Sequence, residues 1–367
     1  LGGDEFTVLV EGSYDHAEVT RIAERIQHKF SIPFVLDGHE IYSSASIGIL
    51  NASDKHKNPQ DVMRDADTAM YQAKRAGKAR HEVFDDNMHS AAKEILRLET
   101  DLRRAVEREE ISVEYQPICD LQSGDIIRFE ALARWHHAEL GPISPSKFIP
   151  LAEEIGLIDP LCEQVLRRSC RDIGTLGADG KTYSVSMNLS CRQFAQPSLG
   201  DRIQQILDEA NFAPNRLCLE ITESVFFEHQ ERAAEMLDEM RRTGIEINID
   251  DFGTGYSNLG YLTRLPVSAL KIDRTFVAMI DDKGKNDEIV GAIITLARNL
   301  GLKVIAEGIE TPGQLQRLTE LGCEAGQGFL LARPMDYTAL ATFLRSDVRP
   351  IMPTEPFSDI STIPFIQ

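Results

Sequence analysis

The strongest constraint on this sequence is a repeated unit: a short apolar run, a polar residue at its end, and a segment with helical periodicity. The polar residues that end these runs are Glu130, Asn188, Glu220, Asp250 with Asp251, Lys271, Glu307 and Gln327. From Asn188 to Gln327 they recur at steps of 20 to 36 residues, as strand–helix units with insertions do. In a barrel of parallel strands such residues meet at the C-terminal face. The pattern therefore predicts an α/β fold, a TIM-like (β/α)8 barrel.

The start of this barrel departs from the parallel pattern. The apolar runs at 111–120 and 125–135 are joined by residues 121–124, Leu-Gln-Ser-Gly, which have the composition of a hairpin turn. We therefore predict a first strand that is antiparallel to its neighbour.

The segment at 1–86 is predicted to be a partial α/β unit. Its expected elements are a strand at 6–12, a helix at 15–30, a strand at 41–50, a helix at 61–76 and a short strand at 81–86. This is too little for an independent α/β domain. The segment also begins abruptly, and we expect it to be truncated at its N-terminus.

The remaining chain divides into three predicted parts. Residues 87–109 form one amphipathic helix, which is either a rigid connector or a first helix packed under the barrel. Residues 110–346 carry the repeated unit and form the barrel domain. Residues 347–367 are rich in proline and lack periodicity, so we expect an irregular tail.

Composition narrows the classes of partner and compartment. The formal net charge of −19 argues against binding to duplex nucleic acid, which requires clustered Lys and Arg. No run approaches the roughly 20 apolar residues of a membrane helix, and the N-terminus does not resemble a signal peptide. The six cysteines are scattered without a CxxC pair, which suits a reducing compartment. We predict a cytoplasmic chain, whose parent protein could carry an upstream sensor or membrane region.

The polar residues at the strand ends also predict a metal site. That many carboxylates at one mouth would repel each other unless cations lay among them. Hard oxygen donors favour Mg²⁺ or Mn²⁺, and no His/Cys cluster competes for a softer metal. The sequence therefore predicts a site for such ions at the mouth of the barrel.

The ordered motifs of residues 110–346 resemble those of the EAL domain, the bacterial phosphodiesterase of cyclic di-GMP. They are Glu130-Ala131-Leu132 with Arg134, Asn188-Leu189-Ser190, Glu220-Ile221-Thr222-Glu223, Asp250-Asp251-Phe252-Gly253-Thr254-Gly255, Lys271-Ile272-Asp273, Glu307-Gly308-Ile309-Glu310 and Gln327-Gly328-Phe329. A lone Glu-Ala-Leu would mean nothing, but seven motifs in order at compatible spacing are specific. The resemblance implies hydrolysis of cyclic di-GMP to linear pGpG.

Residues 1–86 resemble the C-terminal half of a GGDEF domain, the fold of diguanylate cyclases. The resemblance rests on Gly2-Gly3-Asp4-Glu5-Phe6, Ser46-Ile47-Gly48, Asp65-Ala66-Asp67 to Lys74, and Gly77-Lys78. The upstream half of that family is not in this sequence, so we expect that the chain does not synthesise cyclic di-GMP.

The EAL resemblance implies a set of metal ligands and cofactors. It places Glu130, Asn188, Glu220 and Asp250 on a first ion, and Asp250 and Asp251 on a second. Two Mg²⁺ or Mn²⁺ ions are expected in each site, and Ca²⁺ is expected to bind without supporting catalysis. Because adjacent side chains of a regular strand point to opposite faces, we predict that Asp251 lies just past the strand end.

The resemblance also assigns residues to catalysis and to the substrate. It puts Glu307 near the second ion, Lys271 beside the attacking water and Gln327 as an orienting amide, with Glu223 anchoring the loop at 252–259. We expect Lys271, next to two dications, to be pushed toward its neutral form. The expected substrate contacts are Arg134, Leu132, Gln116, Asp273 and Glu310. The family further implies a homodimer formed through the EAL domain.

Other interpretations stay open at the level of sequence. Asn188, Glu223 or Glu310 could each be a helix N-cap, and Lys271 alone could be a solvated surface lysine. At the level of function, the chain could be a non-catalytic receptor for cyclic di-GMP, with the GGDEF segment as a GTP-sensing regulatory module. Such receptors usually lack several metal ligands, whereas every ligand named above is present.

Overall fold

The computed structural model describes residues 4–12, 15–36, 38–52, 56–75, 77–176, 181–223, 230–254, 262, 265–280 and 287–346. The chain divides into two compact units, Leu1–Asp101 and Leu102–Gln367. The tail predicted at 347–367 and most of the loop at 252–259 lie outside the described residues.

The first unit is a small α/β arrangement. Its elements are α1 (His16–Phe30), β1 (Phe34–Leu36), β2 (His39–Ile41), β3 (Ile47–Ile49), α2 (Pro59–Arg75), β4 (His81–Val83) and the first part of α3 (Asn87–Glu107). Strands β1 and β2 pair antiparallel, and β3 and β4 pair parallel. Asp15 and Glu18 begin α1 with a reciprocal capping box. The unit boundary falls within α3, so its predicted role as a connector stays a prediction.

Two strand predictions in this unit are wrong. Residues 6–12 form no strand, and the side chain of Phe6 is 88% exposed. A strand needs a partner for its backbone groups, and none of the described strands pairs with this run. The predicted strand at 41–50 is instead divided between the end of β2 and β3, with residues 42–46 in neither.

The second unit is an eight-stranded closed barrel. Its strands are β5 (Ile111–Asp120), β6 (Ile126–His137), β8 (Ser184–Asn188), β9 (Leu217–Thr222), β10 (Glu246–Phe252), β11 (Ala269–Ile272), β12 (Lys303–Ala306) and β13 (Ala325–Gly326), while β7 (Gly141–Ile143) pairs on the outside with β6. Going round the barrel, the order is β5, β13, β12, β11, β10, β9, β8, β6 and back to β5. The TIM-like barrel is therefore confirmed.

The first barrel strand is antiparallel, as predicted. Strand β5 pairs antiparallel with both β6 and β13, whereas the other barrel pairs are parallel. The turn between β5 and β6 is fixed by Asp120, whose carboxylate accepts from the backbone of Gln122 and Ser123, and by Gly124 at φ +77°.

Helices cover the outside of the barrel. They are α4 (Pro145–Glu154), α5 (Ile158–Thr175), α6 (Leu199–Glu209), α7 (Gln230–Arg242), α8 (Arg274–Val277), α9 (Asp287–Asn299), α10 (Pro312–Leu321) and α11 (Tyr337–Arg345), with short 3₁₀ helices at Cys191–Ala195 and Pro214–Arg216. The strand residues that alternate outward, such as Leu219, Ile221, Ile247 and Ile249, are fully buried. The residues that alternate with them, such as Glu220 and Asp250, point into the barrel. Among the described helices, none has the length and apolarity needed to cross a bilayer.

Candidate metal-binding active site

The polar residues predicted at strand ends converge on the C-terminal mouth, but not all of them end a strand. Asn188 is the last residue of β8, and Glu307 and Gln327 directly follow β12 and β13. Glu130, by contrast, lies inside β6, which runs seven residues further because it continues to pair with β5 and β7. Its parallel pairing with β8 stops at Ala131, so Glu130 is still at the rim of the parallel ladder.

Glu220 and Asp250 also lie inside their strands. Glu220 is followed by two further residues of β9, and Asp250 by two further residues of β10. The prediction that each acid closes its strand is thus wrong for Glu130, Glu220 and Asp250, because neighbouring strands extend the pairing beyond the apolar run.

Lys271 stands at the centre of the cluster. Its Nζ lies 2.6 Å from Glu220 Oε2, 2.6 Å from Glu307 Oε1, 3.1 Å from Asp250 Oδ1 and 3.5 Å from Glu130 Oε2. Its side chain is fully buried, which contradicts the interpretation of a solvated surface lysine. A single ammonium therefore faces four carboxylates in a water-poor site, and the arrangement favours additional positive charge.

The pKa values of the cluster reflect this imbalance. Burial by itself lowers the pKa of Lys271, but Glu130, Glu220, Glu307 and Asp250 outweigh it and hold that pKa well above its usual value. Burial raises the pKa of Glu220 to about 7, against the attraction of Lys271 and with repulsion from Glu130 and Asp250. Burial also holds the pKa of Glu307 well above its usual value. Without metal, the site thus holds protons that a cation would displace.

Two amides hold Glu130 in place. Asn188 Nδ2 donates to Glu130 Oε1 at 2.9 Å, and Gln327 Nε2 donates to Glu130 Oε2 at 2.6 Å. The same Gln327 group also lies 3.1 Å from Glu307 Oε1. Burial opposes ionisation of Glu130, but the charge of Lys271 and these hydrogen bonds outweigh it and lower its pKa. Both oxygens of Glu130 are thereby fixed at the rim.

Asp251 reaches the mouth by a route that the sequence did not predict. It lies within β10 and not past its end, and it has a left-handed backbone at φ +51°. The register between β10 and β11 shifts between Ile249 and Phe252, as at a β-bulge. The bulge cancels the alternation of a regular strand, so that consecutive carboxylates of Asp250 and Asp251 serve the same mouth.

Asp251 and Asp273 form a second acidic pair at the edge of the cluster. Burial, the charge of Asp250 and a side-chain hydrogen bond with Asp273 raise the pKa of Asp251 to about 6. Asp273 is the N-cap of α8 and accepts from the backbone of Thr275 at 2.9 Å. Burial opposes ionisation of Asp273, but its bonds with Thr275 dominate and lower its pKa. Asp273 thus caps α8, and its predicted role as a substrate contact stays a prediction.

Glu223 joins the site through the backbone of the next loop. Its Oε1 accepts from Gly253 N–H at 2.7 Å, directly after the bulge. Gly253 has φ +95°, a conformation that suits glycine. Glu223 therefore ties the end of β9 to the segment that presents Asp251, in agreement with a loop-anchoring role.

The donor set fits hard divalent cations. Ligand atoms of Asp250, Asp251 and Glu307 lie within 4.8 Å of one another. Among the described residues, Glu220 Oε1 and Gln327 Oε1 are buried without a hydrogen-bond partner, whereas Asp250 Oδ1 contacts the ammonium of Lys271 at 3.1 Å. Unpartnered buried oxygens are rare, and a cation at the mouth would satisfy them. Since all these donors are oxygens, they favour Mg²⁺, Mn²⁺ or Ca²⁺ over zinc.

Four of the predicted substrate residues lie outside this network of contacts in the described part of the chain. Arg134 Nε donates to Glu114 Oε2 at 2.7 Å, and Gln116 Nε2 donates to the carbonyl of Ala332 at 3.0 Å. Leu132 lies on β6 two residues beyond Glu130. Glu310 is exposed, and its backbone N–H donates to Gln314 Oε1. These roles stay predictions.

Sequence reasoning missed Glu114, which orients Arg134. The available signal was the alternation of polar residues along β5, where Ser112, Glu114 and Gln116 share one face. Pairing of β5 with β6 places Ser112 directly opposite Arg134, one pleat from Glu114.

The fold and the site together define a barrel protein with an acidic mouth whose oxygen donors fit divalent cations, and comparisons with known proteins specify its family. The family model described as the EAL domain matches residues 99–334. The model described as the diguanylate cyclase GGDEF domain matches residues 1–80. The chain belongs to the EAL-domain family, and the resemblance recognised from its motifs is confirmed.

Similar proteins are found in Pseudomonas aeruginosa. The bifunctional diguanylate cyclase/cyclic di-GMP phosphodiesterase MucR is 42% identical over 337 residues, which cover 91% of this chain and 49% of MucR. The cyclic di-GMP phosphodiesterase NbdA is 38% identical over 347 residues, covering 94% of this chain and 44% of NbdA. The chain thus spans about half the length of these curated relatives.

A solved structure agrees with the barrel. The PaMucR phosphodiesterase in complex with c-di-GMP has a TM-score of 0.63 and 43% sequence identity, and the match covers 66% of this chain and 99% of that one. The likeness therefore extends over the whole of the solved domain.

Proposed function

We propose that this chain hydrolyses cyclic di-GMP to linear pGpG with two divalent cations, Mg²⁺ or Mn²⁺. The observation that carries the proposal is the gathering of Glu130, Glu220, Asp250 and Glu307 around Lys271 at one barrel mouth. The family supports it, since named relatives are cyclic di-GMP phosphodiesterases and a related domain was solved with that nucleotide.

The reaction adds a water oxygen to phosphorus and breaks one phosphorus–oxygen bond to the ribose 3′ position. The water loses a proton, and the leaving alkoxide gains one. When bound, divalent cations neutralise charge on the phosphate and make water more acidic at neutral pH. The first cation would be held by Glu130, Asn188, Glu220 and Asp250. The second cation would be held by Asp250 and Asp251.

The other residues of the mouth position the attacking water and the metal ligands. Lys271 donates hydrogen bonds from a fully buried ammonium, which suits it to orient the attacking water. Loaded cations would oppose that charge and lower the pKa of Lys271 from its raised value. Gln327 bridges Glu130 and Glu307 and so couples the two sides of the mouth. Glu223, through Gly253, holds the segment that carries Asp251.

The substrate is anionic, as is the chain as a whole. The Nε of Arg134 donates to Glu114 and its Nη1 donates to the carbonyl of Ala133, so we propose that its remaining N–H groups contact one phosphate. Gln116, Leu132, Asp273 and Glu310 complete the proposed contacts. We also propose a homodimer formed through the EAL domain, a cytoplasmic location, and the domain limits 1–86, 87–109, 110–346 and 347–367. Light scattering of the purified chain tests the dimer, with twice 41.0 kDa as the expected mass.

The decisive experiment measures release of pGpG from cyclic di-GMP by the purified chain, with Mg²⁺, Mn²⁺, Ca²⁺ or EDTA. We expect turnover with Mg²⁺ or Mn²⁺, and no turnover with Ca²⁺ or EDTA. Glu130→Ala should lower turnover by about 100-fold or more, since a group that stabilises developing charge is typically worth 10²–10³.

Glu320→Gln is the matched control. It removes a carboxylate from an exposed pair with Arg317 on α10, and it should retain full turnover. Nucleotide binding without pGpG release in saturating Mg²⁺ or Mn²⁺ would favour the receptor interpretation.

A further inference from the structure

The barrel interior carries a polar layer directly below the proposed metal ligands. Arg128, Ser186 and Asn248 precede Glu130, Asn188 and Asp250 by two residues on β6, β8 and β10. Since side chains two apart on a strand share a face, all three point into the barrel. All three are buried, Asn248 to 1% exposure. The opposite part of the interior is apolar, with Ile118, Ala269, Ile305 and Ala325 in one buried cluster.

Four polar side-chain atoms of this layer have no hydrogen-bond partner among the described residues. Asn248 Nδ2 and Oδ1, Ser186 Oγ and Arg128 Nε are all buried without a hydrogen bond. The same guanidinium is held by Nη2, which contacts Glu246 Oε2. Buried amides and hydroxyls are almost always hydrogen-bonded, by protein or by ordered water. Several unsatisfied groups in one layer therefore indicate a shared ligand.

The strand register brings these atoms next to a metal ligand. Asn248 is the direct register partner of Glu220, and Ser186 is that of Glu130. Arg128 lies two residues before Glu130 on β6, on the same face of the strand. Asn248 therefore lies beside Glu220 on the neighbouring strand, and Ser186 lies beside Glu130.

The complementary chemistry identifies the ligand as water. Asn248 offers two N–H donors and a carbonyl acceptor, Ser186 a hydroxyl that serves as either, and Arg128 Nε one donor. A buried water needs two to four such partners in a polar site. A larger anion is not favoured, because Glu246 already neutralises Arg128 and the carboxylate of Glu220 lies beside Asn248 on the neighbouring strand.

We propose that ordered water occupies this layer and that Asn248, through it, is a positioning residue for the metal ligand Glu220. The inference rests on the proposed metal-dependent function and extends it below the ligands. Partners of this kind fix the orientation of a ligating carboxylate, and their removal typically costs 10–100-fold in metal affinity or activity.

The test compares Mn²⁺ affinity of full-chain variants by calorimetry without nucleotide. Asn248→Leu keeps the number and branching of the side-chain heavy atoms but removes every polar side-chain atom, and we expect Mn²⁺ binding about 10–100-fold weaker. Asn248→Ser restores a hydroxyl and leaves room for a further water, so its affinity should return close to that of the original chain. Ile305→Val, in the apolar part of the same interior, is the control and should bind Mn²⁺ normally.

Unchanged affinity in Asn248→Leu, or equal loss in Asn248→Ser, would overturn the inference, and so would an original chain that binds no Mn²⁺. If the original chain binds Mn²⁺ but releases no pGpG, the phosphodiesterase proposal fails while this comparison still stands. Should Asn248→Leu not fold, a high-resolution crystal structure of the original chain decides. Water within hydrogen-bonding distance of Asn248 and Ser186 would support the inference, and the absence of water from this layer would overturn it.

Discussion

At the scale of single residues, Lys271 decides how the site behaves without metal. Its ammonium lies within 3.5 Å of four carboxylates, so one positive charge holds together a group that would otherwise repel itself. The remaining imbalance is met by protons, as the raised pKa values of Glu220 and Asp251 indicate. Protons and metal ions therefore compete for the same oxygens.

This competition predicts an unusual pH dependence of stability in EDTA. The folded pKa of Glu220 is raised from 4.5 to about 7, and that of Asp251 from 3.8 to about 6. Across this window the folded chain binds more protons than the unfolded chain, so these groups make the free energy of unfolding fall as pH rises. With Mn²⁺ the trend should reverse, because binding requires deprotonated carboxylates.

Thermal unfolding at about pH 5 and pH 7.5, in EDTA and in Mn²⁺, checks the sign of this linkage. A variant with Glu220→Gln and Asp251→Asn should lose this contribution. Stability that rises with pH in EDTA, equally in both proteins, would contradict the assignment.

A second prediction concerns the loss of the central ammonium. Lys271→Met leaves three buried carboxylates and the half-buried Glu307 without a counter-charge, and breaking a buried ion pair typically costs about 3–5 kcal/mol. We expect the metal-free variant to be destabilised by about this amount near pH 8, with partial recovery in Mn²⁺ and loss of turnover.

Lys303→Met is the control for Lys271→Met. Lys303 is an exposed lysine at the start of β12, at the opposite end of the barrel from the mouth, and its loss should change little. Denaturant unfolding in EDTA measures both variants. Equal stability of Lys271→Met and the original chain would show that the ammonium does not hold the carboxylates.

At the scale of elements, the bulge in β10 is what makes the mouth. A regular strand would send Asp251 to the outside of the barrel, among the covering helices. The left-handed turn at Asp251, followed by Gly253 at φ +95°, brings it back. Glu223 then fixes this geometry by accepting from the backbone of Gly253.

Removal of that anchor should weaken metal binding and turnover together. Glu223→Ala leaves the Gly253 N–H without its acceptor, and we expect losses of about 10–100-fold in Mn²⁺ affinity and in turnover. Glu223→Gln keeps an acceptor oxygen at the same place and is the matched control. Calorimetry and pGpG release measure the two effects. Full turnover and full affinity in Glu223→Ala would rule out the anchoring role.

At this scale, some elements could be predicted from the sequence and others could not. The barrel followed from periodicity, because apolar runs and polar ends repeat at a length that only strand–helix units explain. The convergence of Glu130, Asn188, Glu220 and Lys271 followed from the direction of parallel strands. The bulge did not, because alternation in sequence assumes a regular strand.

Two further misses have the same kind of cause. Strand 6–12 was predicted from its apolar residues alone, yet pairing depends on a neighbour that local sequence does not specify. Asn248 and Ser186 were overlooked because a polar residue inside an apolar run looks like noise until the register shows which side it faces.

At the scale of the whole molecule, the net charge acts on ligands at long range, whereas a bound cation acts only at the barrel mouth. The net charge of −19 repels polyanions at a distance, whereas a bound cation reverses the sign only at the mouth. A compact anionic nucleotide can use that local reversal. A long duplex, which needs many basic contacts at once, cannot.

We therefore expect no binding of the chain to a DNA duplex at physiological salt, with or without Mn²⁺. Non-specific binders typically reach dissociation constants of about 10⁻⁴–10⁻⁶ M through counterion release, which an acidic surface does not provide. Fluorescence anisotropy of a labelled 30-base-pair duplex, with cyclic di-GMP binding as the positive control, measures this. Micromolar duplex binding that weakens steeply with salt would contradict it.

The left-handed residue in β10 also sets a rule for anyone who wants to transplant this centre. Copying the acids onto an idealised barrel would reproduce their identities and still aim one of them at the wrong side. A successful graft must carry over the backbone kink of residues 249–253 together with its glutamate tether.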